Sequence, residues 1–208
     1  CDAIIKYLGS GLIKNIGIKT AEKIVAVFGA ETLQIIENFP ARLKEVRSIG
    51  DSKTNAIING YKNHLELKKI MLFLAEHNIS IKFSHKLFKN YGTNTISVLK
   101  ENPYILIKDI KGVGFKKADD IALKLGIVFD DAKRIVNGIF YLLNEATDSG
   151  HSFLPVDNLI NSAVDLLKID ILKIEKIIAD KELLNNSDIL IDESRVYLKW
   201  NYYCENGI

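Results

Sequence analysis

The sequence predicts a mainly α-helical chain that ends on a small β-hairpin, and two observations predict it. One helical segment recurs within the first 126 residues at a constant shift of 63, and the last third alternates helical periods with two short extended runs. The repeat is Phe28-Gly29-Ala30-Glu31-Thr32-Leu33 through Pro40, recurring as Tyr91-Gly92-Thr93-Asn94-Thr95-Ile96 through Pro103. In each copy an aromatic-Gly pair closes one helix and Thr caps the next, and Pro forces a turn about ten residues before a glycine-containing hairpin.

Each repeat holds two hairpins of one kind. The clearest is Gly112-Val113-Gly114-Phe115-Lys116-Lys117-Ala118-Asp119-Asp120-Ile121, a Gly-aliphatic-Gly turn with a small residue four positions after the second Gly and an aliphatic residue seven after it. Asn15-Ile16-Gly17 with Ala21 and Ile24 repeats the pattern, as does Ser48-Ile49-Gly50 with Thr54 and Ile57. Asn78-Ile79-Ser80 with Ser84 and Leu87 is an eroded copy. Two helices cross steeply only if the turn takes glycine-type dihedrals and the second helix offers a small side chain at the crossing. Positions four and seven after the turn share a face, which packs on the first helix. This is the helix-hairpin-helix pattern, with Asn15 tolerated because Asn enters left-handed backbone readily.

Just after each turn the first backbone N–H groups lack intrahelical partners and the helix dipole is positive, so a phosphate fits there. The candidate phosphate-binding residues are Gly112, Gly114, Phe115, Lys116 and Lys117 in one hairpin and Asn15, Gly17, Ile18, Lys19 and Thr20 in another. Gly50, Ser52 and Lys53 form a third set, in which Asp51 places a carboxylate beside the anion site. The 78–83 copy reads as structural, because Ser80 replaces the decisive glycine. Contacts of this kind carry no base information and predict sequence-independent, salt-sensitive DNA binding.

From Asp131 to Ser149 a helical stripe of Ile135, Ile139, Leu142, Leu143 and Ala146 runs to Gly150. A short extended piece, His151 to Leu154, stops at Pro155, and helices over about 155–168 and 170–184 follow. Two extended runs, Ile189 to Ile191 and Arg195 to Trp200, flank a turn at Asp192-Glu193-Ser194. The order suggests a winged-helix-like domain with a small β-hairpin, so the fold class is mainly α, with tandem helix-hairpin-helix repeats followed by that domain. Lys173, Lys176 and Lys181 alternate with Glu175, Asp180 and Glu182, which marks a solvated face and a docking role. Trp200, Tyr202 and Tyr203 are expected to pack against a portion beyond the chain, since base stacking would need a basic groove that the sequence alone does not reveal.

Charge sorts the partners. Residues 151–208 hold ten acidic and six basic side chains, which leaves 1–150 with sixteen acidic and twenty-two basic, so a polyanion should bind the first part. No apolar run reaches the roughly 18 residues of a membrane span, which predicts a soluble protein without a membrane partner. Cys1 and Cys204 stand at opposite ends with no paired spacing, consistent with a reducing cytoplasm, and the four histidines lack metal-site spacing. Beginning on Cys1, the chain reads as a piece of something longer.

The stretches Leu-Ile-Lys-Asn-Ile-Gly-Ile-Lys-Thr-Ala-Glu-Lys-Ile-Val at 12–25, Lys-Glu-Asn-Pro-Tyr at 100–104, Lys-Gly-Val-Gly-Phe-Lys-Lys-Ala-Asp at 111–119 and Asp-Ser-Gly-His-Ser-Phe-Leu-Pro at 148–155 resemble the N-terminal extension of bacterial RecD-like DNA helicases, over nearly the full chain. The resemblance implies a region of an ATP-dependent 5′–3′ helicase of the RecD/TraA, exodeoxyribonuclease V alpha-like type, acting in DNA repair or recombination. It implies single-stranded or forked DNA and the helicase motor domains as partners. No G-x-x-x-x-G-K-[ST] loop is present, so no cofactor is expected here, and ATP and Mg belong only to the motor. The expected organisation is 1–63 and 64–128 as double helix-hairpin-helix units, 129–203 as the winged-helix-like domain and 204–208 as the start of a linker.

Two rival readings follow from the same residues. Base-excision glycosylases also use this hairpin, and Lys116 sits where a nucleophilic amine can stand, but they need an Asp about twenty residues after the second Gly and position 134 is Arg. The fragment is therefore expected to be non-catalytic. The other rival is a protein-docking scaffold for the motor or another repair protein without direct DNA contact.

Overall fold

The computed structural model describes residues 1–13 and 15–207. They form two compact units, Cys1–Ser97 and Val98–Ile208. The chain is mainly helical, as expected, with one small antiparallel sheet. No helix among the described residues is long and apolar enough to cross a membrane.

In the first unit, α1 (Asp2–Gly9) precedes α2 (Ile18–Phe28), α3 (Thr32–Asn38), α4 (Asp51–Glu76) and α5 (Ser84–Tyr91), short 3-10 turns join the helices from α2 onward, and α6 (Thr95–Glu101) runs across the boundary. The second unit continues with α7 (Ile105–Asp109), α8 (Phe115–Lys124) and α9 (Ala132–Asp148). The hairpin pattern is what buries these helices. The central aliphatic residues Ile16, Ile49, Ile79 and Val113 are all buried. So are the small residues Ala21, Thr54, Ser84 and Ala118 and the aliphatic residues Ile24, Ile57, Leu87 and Ile121 that follow them. One helix face per hairpin is thereby removed from water, at roughly 25 cal/mol per Å² of apolar surface.

Backbone dihedrals explain which turn positions are special. The first turn residue is left-handed in every copy: Asn15 at φ 73°, Ser48 at 73°, Asn78 at 55° and Gly112 at 87°. The second is extended, with φ of −92° at Gly17, −95° at Gly50 and −88° at Gly114. Left-handed backbone suits Gly and Asn, and only Ser48 adopts it against preference. The repeat is equally exact at its aromatic-Gly helix ends, where Gly29 (φ 55°, ψ −129°) and Gly92 (φ 55°, ψ −130°) coincide. Thr32 and Thr95 act differently from expectation. Each donates its hydroxyl to the carbonyl of the glycine three residues before it, at 2.8 and 2.7 Å, and Thr95 also reaches Leu87 O at 3.4 Å.

Ser84 Oγ and Thr54 Oγ1 are buried without a hydrogen-bond partner. At the equivalent positions Ala21 and Ala118 supply the same close approach with no polar atom to desolvate. Ser84→Ala is therefore expected to stabilise the protein by about 1 kcal/mol in urea unfolding. A loss of stability would show that the hydroxyl is hydrogen-bonded after all.

The remainder comprises β1 (Phe153–Pro155), α10 (Val156–Leu167), α11 (Ile171–Ala179), α12 (Lys181–Asn186), β2 (Ile189–Asp192), β3 (Arg195–Leu198) and α13 (Lys199–Asn206). The sheet order is β1-β3-β2, with Leu154 opposite Val196 and Leu190 opposite Tyr197. Ile135, Ile139 and Leu143 of α9 are buried, and Gly150 follows the helix at φ 89°. At Gly138 the Leu167 side chain lies 2.8 Å from where a Cβ would stand, so α9 and α10 cross there on a glycine.

Two sequence expectations are corrected. The helix expected over 170–184 is broken at Asp180, whose carboxylate accepts from Leu183 N and caps a new helix. The extended run expected to reach Trp200 stops at Leu198, where Lys199 N donates to Asp188 O at 2.9 Å and α13 begins. Of 204–208, residues 204–206 close α13 and Ile208 lies outside the described residues.

Candidate nucleic-acid interface

The 112–117 hairpin has the most open geometry. Gly112 supplies the left-handed turn and Gly114 begins α8 in extended backbone, and a Cβ on Gly114 would meet nothing within 4 Å. Neither backbone strain nor packing thus demands glycine at position 114, whereas a close approach from outside would. Lys117 N and Ala118 N already donate to Gly114 O, at 3.1 and 3.2 Å, and the Phe115 and Lys116 amides of this first turn have no partner among the described residues. Lys116 and Lys117 are exposed beside them. A cavity of about 340 Å³ opens at the turn, lined by Gly112, Gly114, Lys116, Lys117, Tyr141 and Leu166 among others. The Phe115 ring is buried against Tyr104 and Tyr141, at centroid distances of 5.7 and 5.4 Å, which leaves its backbone amide as the group that can meet a ligand.

Behind this turn lies a buried polar cluster. Asp119 of α8 accepts two hydrogen bonds from Arg134 of α9, at 2.9 and 2.8 Å, and a third from the Tyr104 hydroxyl at 2.7 Å. Arg134 also donates to the carbonyls of Phe129 and Leu167, at 2.7 and 3.1 Å, and its guanidinium stands 4.3 Å from the Phe129 ring centre. Each carboxylate oxygen of Asp119 and each guanidinium nitrogen of Arg134 thereby has a partner, as burial demands. Burial, with the Asp119 hydrogen bond adding to it, pushes the Tyr104 phenol far above its ordinary range. Position 134, where a glycosylase would need an acid, carries the residue that anchors α8 to α9 and to the end of α10.

The 15–20 hairpin is partly occupied by its own chain. Gly17 pairs with Ser10 in an isolated bridge, and Asn15 Nδ2 donates to Ala56 O of α4 at 3.4 Å. The Thr20 amide donates to Gly17 O, so Thr20 offers no free amide there, whereas Ile18 and Lys19 are exposed. The 48–53 hairpin keeps Gly50 open and Ser52 exposed, with Lys53 half-buried. Asp51 pairs with Lys44, which offsets the carboxylate at this helix start, and Lys23 reaches Ser48 Oγ at 3.0 Å. In the 78–83 copy a 3-10 turn, Ile81–Phe83, stands before α5, and the Phe83 amide donates to Ser80 O.

The hairpin pattern missed two features. Nothing local pairs Asp119 with Arg134, fifteen residues on. Phe140 and Tyr141 fall outside the inward stripe of α9, and an aromatic ring at such a position was the available signal. Tyr202, expected to await a missing portion, instead meets Tyr197 of β3 at 5.2 Å, while Trp200 and Tyr203 remain exposed.

Residues 63–153 match the family model described as the ATP-dependent RecD2 DNA helicase HHH domain. The chain is also similar to the ATP-dependent RecD2 DNA helicase of Deinococcus radiodurans, 25% identical over 144 residues, which is 69% of this chain. The match spans only 20% of that relative's length.

Proposed function

We propose that the chain, similar over residues 63–153 to the helix-hairpin-helix domain of RecD2-type helicases, binds the sugar-phosphate backbone of DNA without regard to sequence, as the N-terminal part of a 5′–3′ helicase acting in repair or recombination. The observation that carries the reading is Gly114, a glycine with no conformational or packing need, followed by two unpartnered amides and two exposed lysines. A phosphate there receives backbone hydrogen bonds, the positive end of α8 and lysine charge together. Gly17 and Gly50 repeat the open, extended geometry with Lys19 and Lys53 nearby. ATP and Mg would serve the motor domains of such a helicase, and residues 129–203, with their three-stranded sheet, fit a winged-helix-like unit in the cytoplasmic enzyme.

Fluorescence anisotropy over a salt series tests this. If about three to five phosphates are neutralised, log K against log salt on single strands should slope near −2 to −4. Replacing Lys116 and Lys117 by Ala should flatten the slope by about 1.4, and Gly114→Val should weaken binding while its extended backbone remains allowed. Lys173→Ala should matter far less, because Lys173 is paired with Asp130 at 2.7 Å. No binding at low salt would leave the docking reading, which the exposed Val128, Phe129 and Leu172 beside that ion pair favour.

A further inference from the structure

Three cavities of the second compact unit share lining residues in series. The one at the Gly112–Lys117 turn shares Tyr141 with a cavity of about 480 Å³ lined by α7 and α9. That cavity shares Phe140 and Asn144 with a third, of about 570 Å³, at the start of α13. Each contains aromatic surface and a lysine. Tyr141 stands with Lys116 and Lys117, Phe140 with Lys108, and Trp200 and Tyr203 with Lys199. Phe140 is 38%, Tyr203 41% and Trp200 76% exposed, so ring surface is available to a ligand.

The walls are held in place and carry both lysines and acceptor groups. Asn201 Nδ2 donates to Thr147 Oγ1 at 2.7 Å, and with the Lys199–Asp188 backbone bond this fixes α13 beside α9. The Asn137 and Asn144 amide nitrogens are engaged by the carbonyls of Lys133 and Phe140, each at 2.7 Å. Each of these amides keeps an oxygen as a further acceptor, and Glu145 and Asp148 add carboxylates to a lining that also holds Lys108. The carboxylates and amide oxygens suit the amino groups of bases, while the lysines suit the backbone.

We propose that this series of cavities is a track for single-stranded DNA, in which a strand anchored by phosphate at the Gly114 turn lays successive bases on Tyr141, Phe140 and Trp200. The track rests on the DNA-binding reading above and adds strand selectivity to it. A duplex hides its base faces in its own stack and can use only the hairpin. Stacking on aromatic rings is tolerant of sequence, so the track leaves the binding non-specific.

Trp200 is the only tryptophan in the chain and reports its own contact. Titrating the 208-residue protein with a single-stranded 15-mer of mixed sequence should quench its emission along the same isotherm that anisotropy gives, and the same sequence as duplex should leave emission unchanged. Phe140→Ala should lower single-strand affinity by roughly tenfold with duplex affinity retained, Phe140→Tyr should retain both, and far-UV circular dichroism verifies that each variant is folded. If single strands bind without quenching Trp200, and Phe140→Ala binds normally while the Lys116→Ala/Lys117→Ala protein binds weakly, the track is wrong and the hairpin reading stands. If quenching and the Phe140 effect occur but the lysine pair has no effect, the hairpin reading falls and the track stands. Absence of binding to either form removes both.

Discussion

Arg134→Met should destabilise the protein by about 3–5 kcal/mol and lower the midpoint of thermal unfolding by roughly 6–20 °C. The substitution leaves the Asp119 carboxylate, 8% exposed, facing a thioether where two charge-assisted hydrogen bonds stood. It also leaves the Phe129 and Leu167 carbonyls without their donor. Because the cost is that of an uncompensated buried charge, removing the charge should restore most of the loss. Arg134→Met combined with Asp119→Leu and Tyr104→Phe is expected to unfold within about 1–2 kcal/mol of the native protein. Thermal and urea unfolding of the single and triple variants decide the matter. A single variant as stable as the native chain would mean that the pair is hydrated.

The second large effect separates two glycines that meet at one turn. A Cβ on Gly9 would lie 2.9 Å from the Cα of Ile18, the residue that opens α2, whereas a Cβ on Gly17 would meet nothing within 4 Å. Backbone cannot swing aside as a side chain can, so Gly9→Ala must push α1 away from the hairpin and should cost about 1–3 kcal/mol. Gly17→Ala, in extended backbone at a helix N-cap, should change stability by less than about 0.5–1 kcal/mol. DNA affinity measured beside urea unfolding should show the complementary pattern, with Gly17→Ala weakening binding at unchanged stability. Equal stability losses at both positions would contradict the open approach at Gly17.

What the sequence by itself determined is the local periodic part. The spacing from Ile16, Ile49, Ile79 and Val113 to the small residue and the following aliphatic residue names buried positions in every copy, because one helix face and one turn suffice to specify them. Gly29 and Gly92, the left-handed Asn15 and the Asp192–Ser194 hairpin turn were legible for the same reason: the preference resides in the residue that adopts the conformation. Element ends near Asp180 and Leu198 were less legible, since a capping carboxylate and the carbonyl of Asp188, in the turn before β2, decided them against a continuing apolar period. Only the tertiary structure decided which polar groups meet. Asp119 finds Arg134 across a turn and a helix, Phe115 loses its ring to the core, and Phe140 comes to line one cavity with Trp200, sixty residues away. These are pairings between elements, and neither period nor propensity within one element carries the distance between two of them.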